Sequence, residues 1–173
     1  MSVISGDGGL SPPLCAKPAA VNLDGIDKTI LRILQEDGSL SIADLADRLG
    51  MTPPPCWRRV RRLRDAGVLK RQVWIVDPDA VGLNVMLYAT VKLATHDSDT
   101  MEAFKEQVRF LPEVLECSIL LGRTDVIIKM IVTNINQYEH FFHEKLTKLP
   151  GVREVISGVV MTRVKESTAL PIA

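Results

Sequence analysis

Arg58, Arg59, Arg61, Arg62 and Arg64 crowd into one short stretch, and guanidinium groups so placed have a limited chemistry. Each is a permanent positive charge with a planar fork of N–H donors, suited to neutralising phosphate and to gripping guanine edges through paired hydrogen bonds. Residues 52–72 add Lys70 and Arg71 and hold a single acid, Asp65, whereas residues 24–51 are net acidic and the formal net charge of the 173-residue chain is +0. The positive charge is therefore local, and global composition points neither to nucleic acid nor to a membrane nor to an acidic substrate. A helix face that is merely solvated usually mixes signs for i,i+4 support, so a run of nearly one sign points to a polyanionic surface.

A rigid element must carry these side chains. In "TPPPCWRRVRRLRDAG" (52–67) the prolines fall where a helix begins, and the first turn has no intrahelical acceptors for its N–H groups, so Pro53, Pro54 and Pro55 forfeit little there. The start can lie anywhere from Pro53 to Pro55, because a residue before proline is pushed out of the helical region. Cys56, Val60 and Leu63 then share one apolar side; Pro54, Arg58, Arg61 and Asp65 lie opposite, Arg62 close by, and Trp57, Arg59 and Arg64 on the flanks. Gly67 ends the helix. Upstream, Ile26, Ile30, Ile33 and Leu34 recur at helical spacing after a candidate N-cap, Asp24, and Ile42, Leu45, Ala46 and Leu49 do so after Ser41, with Asp44 in capping-box position. Three short helices with a glycine-containing turn before the third make a helix-turn-helix.

On that element Arg58, Arg61 and Arg62 are assigned to the groove of a duplex, and Arg59, Arg64, Lys70 and Arg71 to phosphates, with Arg59 partly structural. Thr52, Pro54 and Trp57 complete the candidate DNA-facing set. Three prolines deny a phosphate the usual N–H groups of a helix N-terminus, so side chains must anchor it. Cys56, on the apolar side, reads as an inert core thiol.

The remaining chain is organised around this domain. Residues 1–22 mix Gly, Ser, Pro and Ala and read as a flexible arm, residues 23–71 as the helix-turn-helix domain, and residues 72–83 as an extended linker and hinge. From 84 to 173 the periodicity predicts strands at 84–94, 114–122, 125–133 and 152–166, with helices at 99–110 and 136–149. The order βαββαβ predicts a ferredoxin-like sheet with both helices on one face, making the whole chain α+β. Three scattered cysteines argue against a disulfide framework or a zinc site, and no leader-like start or 18-residue apolar span is evident, so a soluble, cytoplasmic protein is expected. His140 and His143 stand one turn apart without a third ligand, and placing Tyr138, Phe142, Leu146 and Leu149 inward leaves them at the surface; no metal and no cofactor is expected.

This arrangement resembles the Lrp/AsnC (feast/famine) transcriptional regulators over about residues 23–172. The resemblance rests on "LDGIDKTILRILQEDG", on Pro55, Cys56, Arg59, Val60 and Leu63 in the recognition helix, on "LPGV" at 149–152, and on "VMTRVKESTALPI" near the end. It implies a DNA-binding regulator that dimerises through its sheet, assembles further, and senses a small effector such as an amino acid between dimers. Taken alone, Gly122, Arg123, Thr124 and Asp125 are a hairpin turn. The resemblance makes them an effector clamp in which Asp125 accepts from an ammonium and Arg123 and backbone N–H groups receive a carboxylate, with Ser167 and Thr168 within reach. Two departures stand out: Arg64 replaces a usual acid, which bears on the DNA site, and "GRTDV" replaces G-D-[YF]-D-[YF], which bears on the effector. Siroheme decarboxylases resemble the same two-module architecture, and a low-specificity architectural DNA-binding protein is a third class; the basic loading of the third helix favours the regulator.

Overall fold

The molecule is described by a computed structural model covering residues 21–173, so the arm expected over 1–22 lies, but for its last two residues, outside the described residues. Two units emerge, a helical one that runs to Val73 and takes in Ser167–Ala173, and a sheet unit spanning Trp74–Glu166. The last seven residues thus group with the helices, although the sequence placed them in the sheet domain.

In the helical unit each helix begins where a side chain can satisfy its first N–H groups. Helix α1 (Gly25–Glu36) has a complete capping box, in which the Asp24 carboxylate accepts from the Asp27 N–H and the Asp27 carboxylate accepts from the Asp24 N–H. Helix α2 (Ile42–Arg48) is capped by Ser41, whose Oγ accepts from the Asp44 N–H. Helix α3 (Pro53–Asp65) has proline at its first positions and Thr52 at the N-cap without a side-chain bond, as the missing proline N–H groups require. It ends in a Schellman motif: Val68 N–H donates to Leu63 O and Gly67 N–H to Arg64 O, with Gly67 at φ 70°. Ile30, Leu31, Leu45, Ala46, Cys56, Val60 and Leu63 make the core. Onto it packs Ile172, while the Leu170 N–H donates to the Gln35 side chain at 2.6 Å.

Residues 70–77 form no helix or strand, and a short 3-10 turn (Asp79–Val81) leads into the sheet. There β1 (Val85–Leu93), α4 (Ser98–Arg109), β2 (Val114–Ile119), β3 (Val126–Val132), α5 (Ile135–Glu144) and β4 (Val152–Val159) follow in order. All pairings are antiparallel in the order β2-β3-β1-β4, the ferredoxin-like arrangement. Leu87, Ala89, Val91 and Leu93 of β1 and Val126, Ile128, Met130 and Val132 of β3 share the face covered by Phe104, Val108 and Phe141.

Three expected elements are clearly shorter than the sequence suggested, and β2 stops at Ile119 rather than 122. β4 stops at Val159 rather than 166 because its partner β1 runs out: Leu87 pairs with Val159 and the Val160 N–H bonds Met86 O. α5 stops at Glu144 and restarts as a 3-10 turn (Leu146–Lys148), so the periodicity counted through residue 149 loses phase. Phe141 is the buried aromatic, with Tyr138 and Phe142 only partly covered; Leu146 and Leu149 are buried as expected. His140 and His143 are exposed, and no group of metal-ligating side chains occurs among the described residues.

Candidate nucleic-acid interface

The apolar stripe of α3, Cys56, Val60 and Leu63, is buried against α1 and α2, and this fixes which way the arginines face. Arg58, Arg61 and Arg64 project from the exposed sides. Arg61 lies 5.2 Å from the centroid of the half-exposed Trp57 ring one turn earlier and 3.6 Å from Asp65 one turn later, so both neighbours restrain its guanidinium. Thr52 and Pro54 are exposed at the leading end of the helix, and Lys70 and Arg71 are exposed beyond its C-terminus.

Arg59 and Arg62 are differently placed. The Arg59 Nη1 donates to Asp24 Oδ2 at 2.6 Å and to Asp27 Oδ1 at 2.8 Å, and the Arg62 Nη2 donates to Asp27 Oδ2. Asp27 is fully buried, the one buried charged residue among those described. The Asp27 N–H, then the Arg59 guanidinium, hold the Asp24 carboxyl below its usual range, and the two acids together push Arg59 up. The structural share expected of Arg59 is therefore large, and Arg62, assigned from sequence to the groove, also has an acid of its own chain in hand. Sequence reasoning missed this because Asp27 and Arg59 are 32 positions apart; the sequence offers only an acid at the third position of α1, which the capping box seen in the structure also uses.

In the sheet unit, Gly122, Arg123, Thr124 and Asp125 form the connection between β2 and β3. The Asp125 carboxylate is engaged locally: Oδ2 accepts from the Leu93 N–H at 2.8 Å and Oδ1 meets His96 Nε2 at 3.1 Å. Those bonds, the Leu93 N–H first, hold its carboxyl below the usual value. Ser167 Oγ accepts from the Ala169 N–H, and Ser167 and Thr168 group with the helical unit rather than with this turn.

Residues 23–70 match the winged helix-turn-helix DNA-binding family, and residues 86–170 match the Lrp/AsnC ligand binding domain. This chain belongs to the Lrp/AsnC family of transcriptional regulators. It is 34% identical over 150 residues to the DNA-binding transcriptional activator DecR of Escherichia coli, covering 87% of this chain and 99% of that one. It is also 34% identical over 151 residues to the leucine-responsive regulatory protein of the same organism, covering 87% and 92%. Among solved structures, a Neisseria meningitidis transcriptional regulator in complex with L-Met aligns with TM-score 0.83 and 35% identity, over 87% of this chain and 97% of that chain. The chain is accordingly a DNA-binding transcriptional regulator with a ligand-binding domain, grouped with regulators rather than with enzymes. No helix among the described residues is long and apolar enough to cross a membrane.

Proposed function

We propose that the chain is a cytoplasmic, sequence-specific regulator whose α3 enters the major groove of a pseudo-palindromic operator, and whose occupancy of DNA responds to an amino acid. The observation that carries this reading is the free face of α3: Arg58 and Arg61 stand exposed on the side opposite Cys56, Val60 and Leu63, with Arg61 held between Trp57 and Asp65. Arg58 and Arg61 read bases, Arg64, Lys70 and Arg71 hold phosphates, and Thr52, Pro54 and Trp57 line the approach.

A two-fold dimer would set the two recognition helices roughly 34–36 Å apart, matching one turn of duplex. Support for a dimer comes from the sheet face without helices, where Tyr88 and Ile156 are exposed, and from Val73, Trp74, Ile75 and Val76, all exposed in one extended run. Further assembly of dimers is the expected context for effector sensing. The effector is proposed to sit at the turn of Gly122, Arg123, Thr124 and Asp125, its ammonium sharing or displacing His96 on the Asp125 carboxylate. The ligand-binding domain and the relative seen with L-Met support an amino acid as the class.

The test is a binding titration at fixed salt on a duplex recovered by selection and on a shuffled duplex. Arg58→Ala or Arg61→Ala should cost ~1–3 kcal/mol on the selected site and relax selectivity there, while Arg71→Ala should weaken both duplexes alike. Unchanged affinity and selectivity in Arg58→Ala and Arg61→Ala would refute the assignment. Asp125→Asn should abolish the thermal shift given by the responsive amino acid, found by screening all twenty; a retained shift would refute the clamp.

A further inference from the structure

Arg62 has two claims on it. Its Nη2 donates to Oδ2 of the buried Asp27, yet its side chain is 52% exposed, against 27% for Arg59. Arg59 alone gives Asp27 a second guanidinium, at 2.8 Å on Oδ1, and the Asp24 N–H gives Oδ2 a further donor at 3.1 Å. The buried carboxylate therefore keeps a cation and a hydrogen bond on each oxygen even if Arg62 leaves. Beside it, Pro55, Arg58, Arg59 and Arg62, successive members of one stripe of α3, line an open concavity of about 310 Å³. Three arginine side chains line a hollow that Pro55 cannot serve with an N–H, a setting suited to a tetrahedral anion held by side chains alone.

We propose that this hollow seats one backbone phosphate of the bound duplex, and that Arg62 is handed from Asp27 to that phosphate on docking while Arg59 keeps Asp27 compensated. Asp27 is then a positioning residue for DNA binding: it holds Arg62 in place beforehand and competes with the phosphate for it. The assignment rests on the reading that α3 meets DNA, and it moves Arg62 from base contact to backbone contact.

Salt dependence separates these roles, because each phosphate neutralised contributes about 0.9 to the slope of log K against log salt. The measurement is fluorescence anisotropy on a random-sequence duplex between about 50 and 200 mM salt, with folding checked by circular dichroism. Arg62→Gln should lower the slope by about 0.9 per bound protomer, and Arg62→Lys, which keeps the charge, should restore it. Asp27→Asn should keep at least the wild-type slope and bind tighter by up to about fivefold, the worth of one half-exposed ion pair. A purely structural ion pair would lower stability in these variants without moving the slope. If Arg62→Gln leaves the slope unchanged while Arg64→Gln lowers it, α3 meets DNA but Arg62 stays with Asp27, and the proposal is overturned. A folded Asp27→Asn that binds no tighter than wild type also overturns it, and should that variant not fold, the two Arg62 substitutions decide. If neither Arg64→Gln nor Arg62→Gln moves the slope, the assignment of α3 itself fails.

Discussion

Five arginines on one helix are chemically alike, and what distinguishes them is where acids and aromatics stand. Arg59 faces Asp24 and Asp27, and removing it leaves a fully buried carboxylate short of a donor. Arg59→Ala should therefore destabilise the helical unit by ~1–3 kcal/mol, read as a lower urea midpoint; an unchanged midpoint would mean Arg62 alone satisfies Asp27. Arg61 is restrained by Trp57 at 5.2 Å. Trp57→Ala should weaken binding to the selected duplex by ~0.5–1 kcal/mol through loss of that restraint, an effect that should vanish in an Arg61→Ala background. The side of α3 on which each arginine lies was legible in the sequence, since it follows from the 3.6-residue period of Cys56, Val60 and Leu63. The division of labour among them was not, because the deciding partners sit at the start of a different helix.

At the scale of elements, caps and turns carry the local instructions. Asp97 caps α4, its Oδ1 accepting from the Thr100 N–H at 2.9 Å, and that bond, with one from the Thr95 hydroxyl, holds its carboxyl down to about 2 from 3.8. A depressed folded-state pKa gives stability that is present above pH ~4 and is lost as pH falls toward about 2. Asp97→Asn keeps a capping oxygen but not the titration, so wild type should lose stability relative to this variant across that window; parallel curves would contradict the assignment. Gly151 sits at φ 73° in the "LPGV" turn, and a Cβ there would stand 2.6 Å from the Thr100 Cγ2. Gly151→Ala should cost ~1–3 kcal/mol by denaturant melting, from backbone strain and overpacking together. The elements themselves were largely readable from periodicity. Their ends were not: β4 is cut where β1 begins, and the phase of α5 shifts at a 3-10 restart, both set by partners that a local window does not contain.

At the scale of the molecule, a chain with net charge +0 sets five of its 21 cations on one helix and leaves apolar surface on the sheet unit. Trp74 is 91% exposed and Ile156 61%, so neither is packed within the chain. For the proposed dimer, Ile156→Asp should shift the protein toward monomer in sedimentation velocity and weaken operator binding more than binding to a half-site; an unchanged association state would place any interface elsewhere. The two-module order was legible because helical and strand periods differ so plainly on either side of residue 80, and the family match agrees with it. Selective DNA binding through the exposed face of α3 is tested most directly by the ratio of affinities for a selected operator and its shuffled counterpart at fixed salt, in wild type and Arg61→Ala. We expect a ratio of at least about 10³ in wild type, falling roughly five- to 150-fold in the variant through loss on the operator alone. A ratio that is the same in both proteins would contradict it.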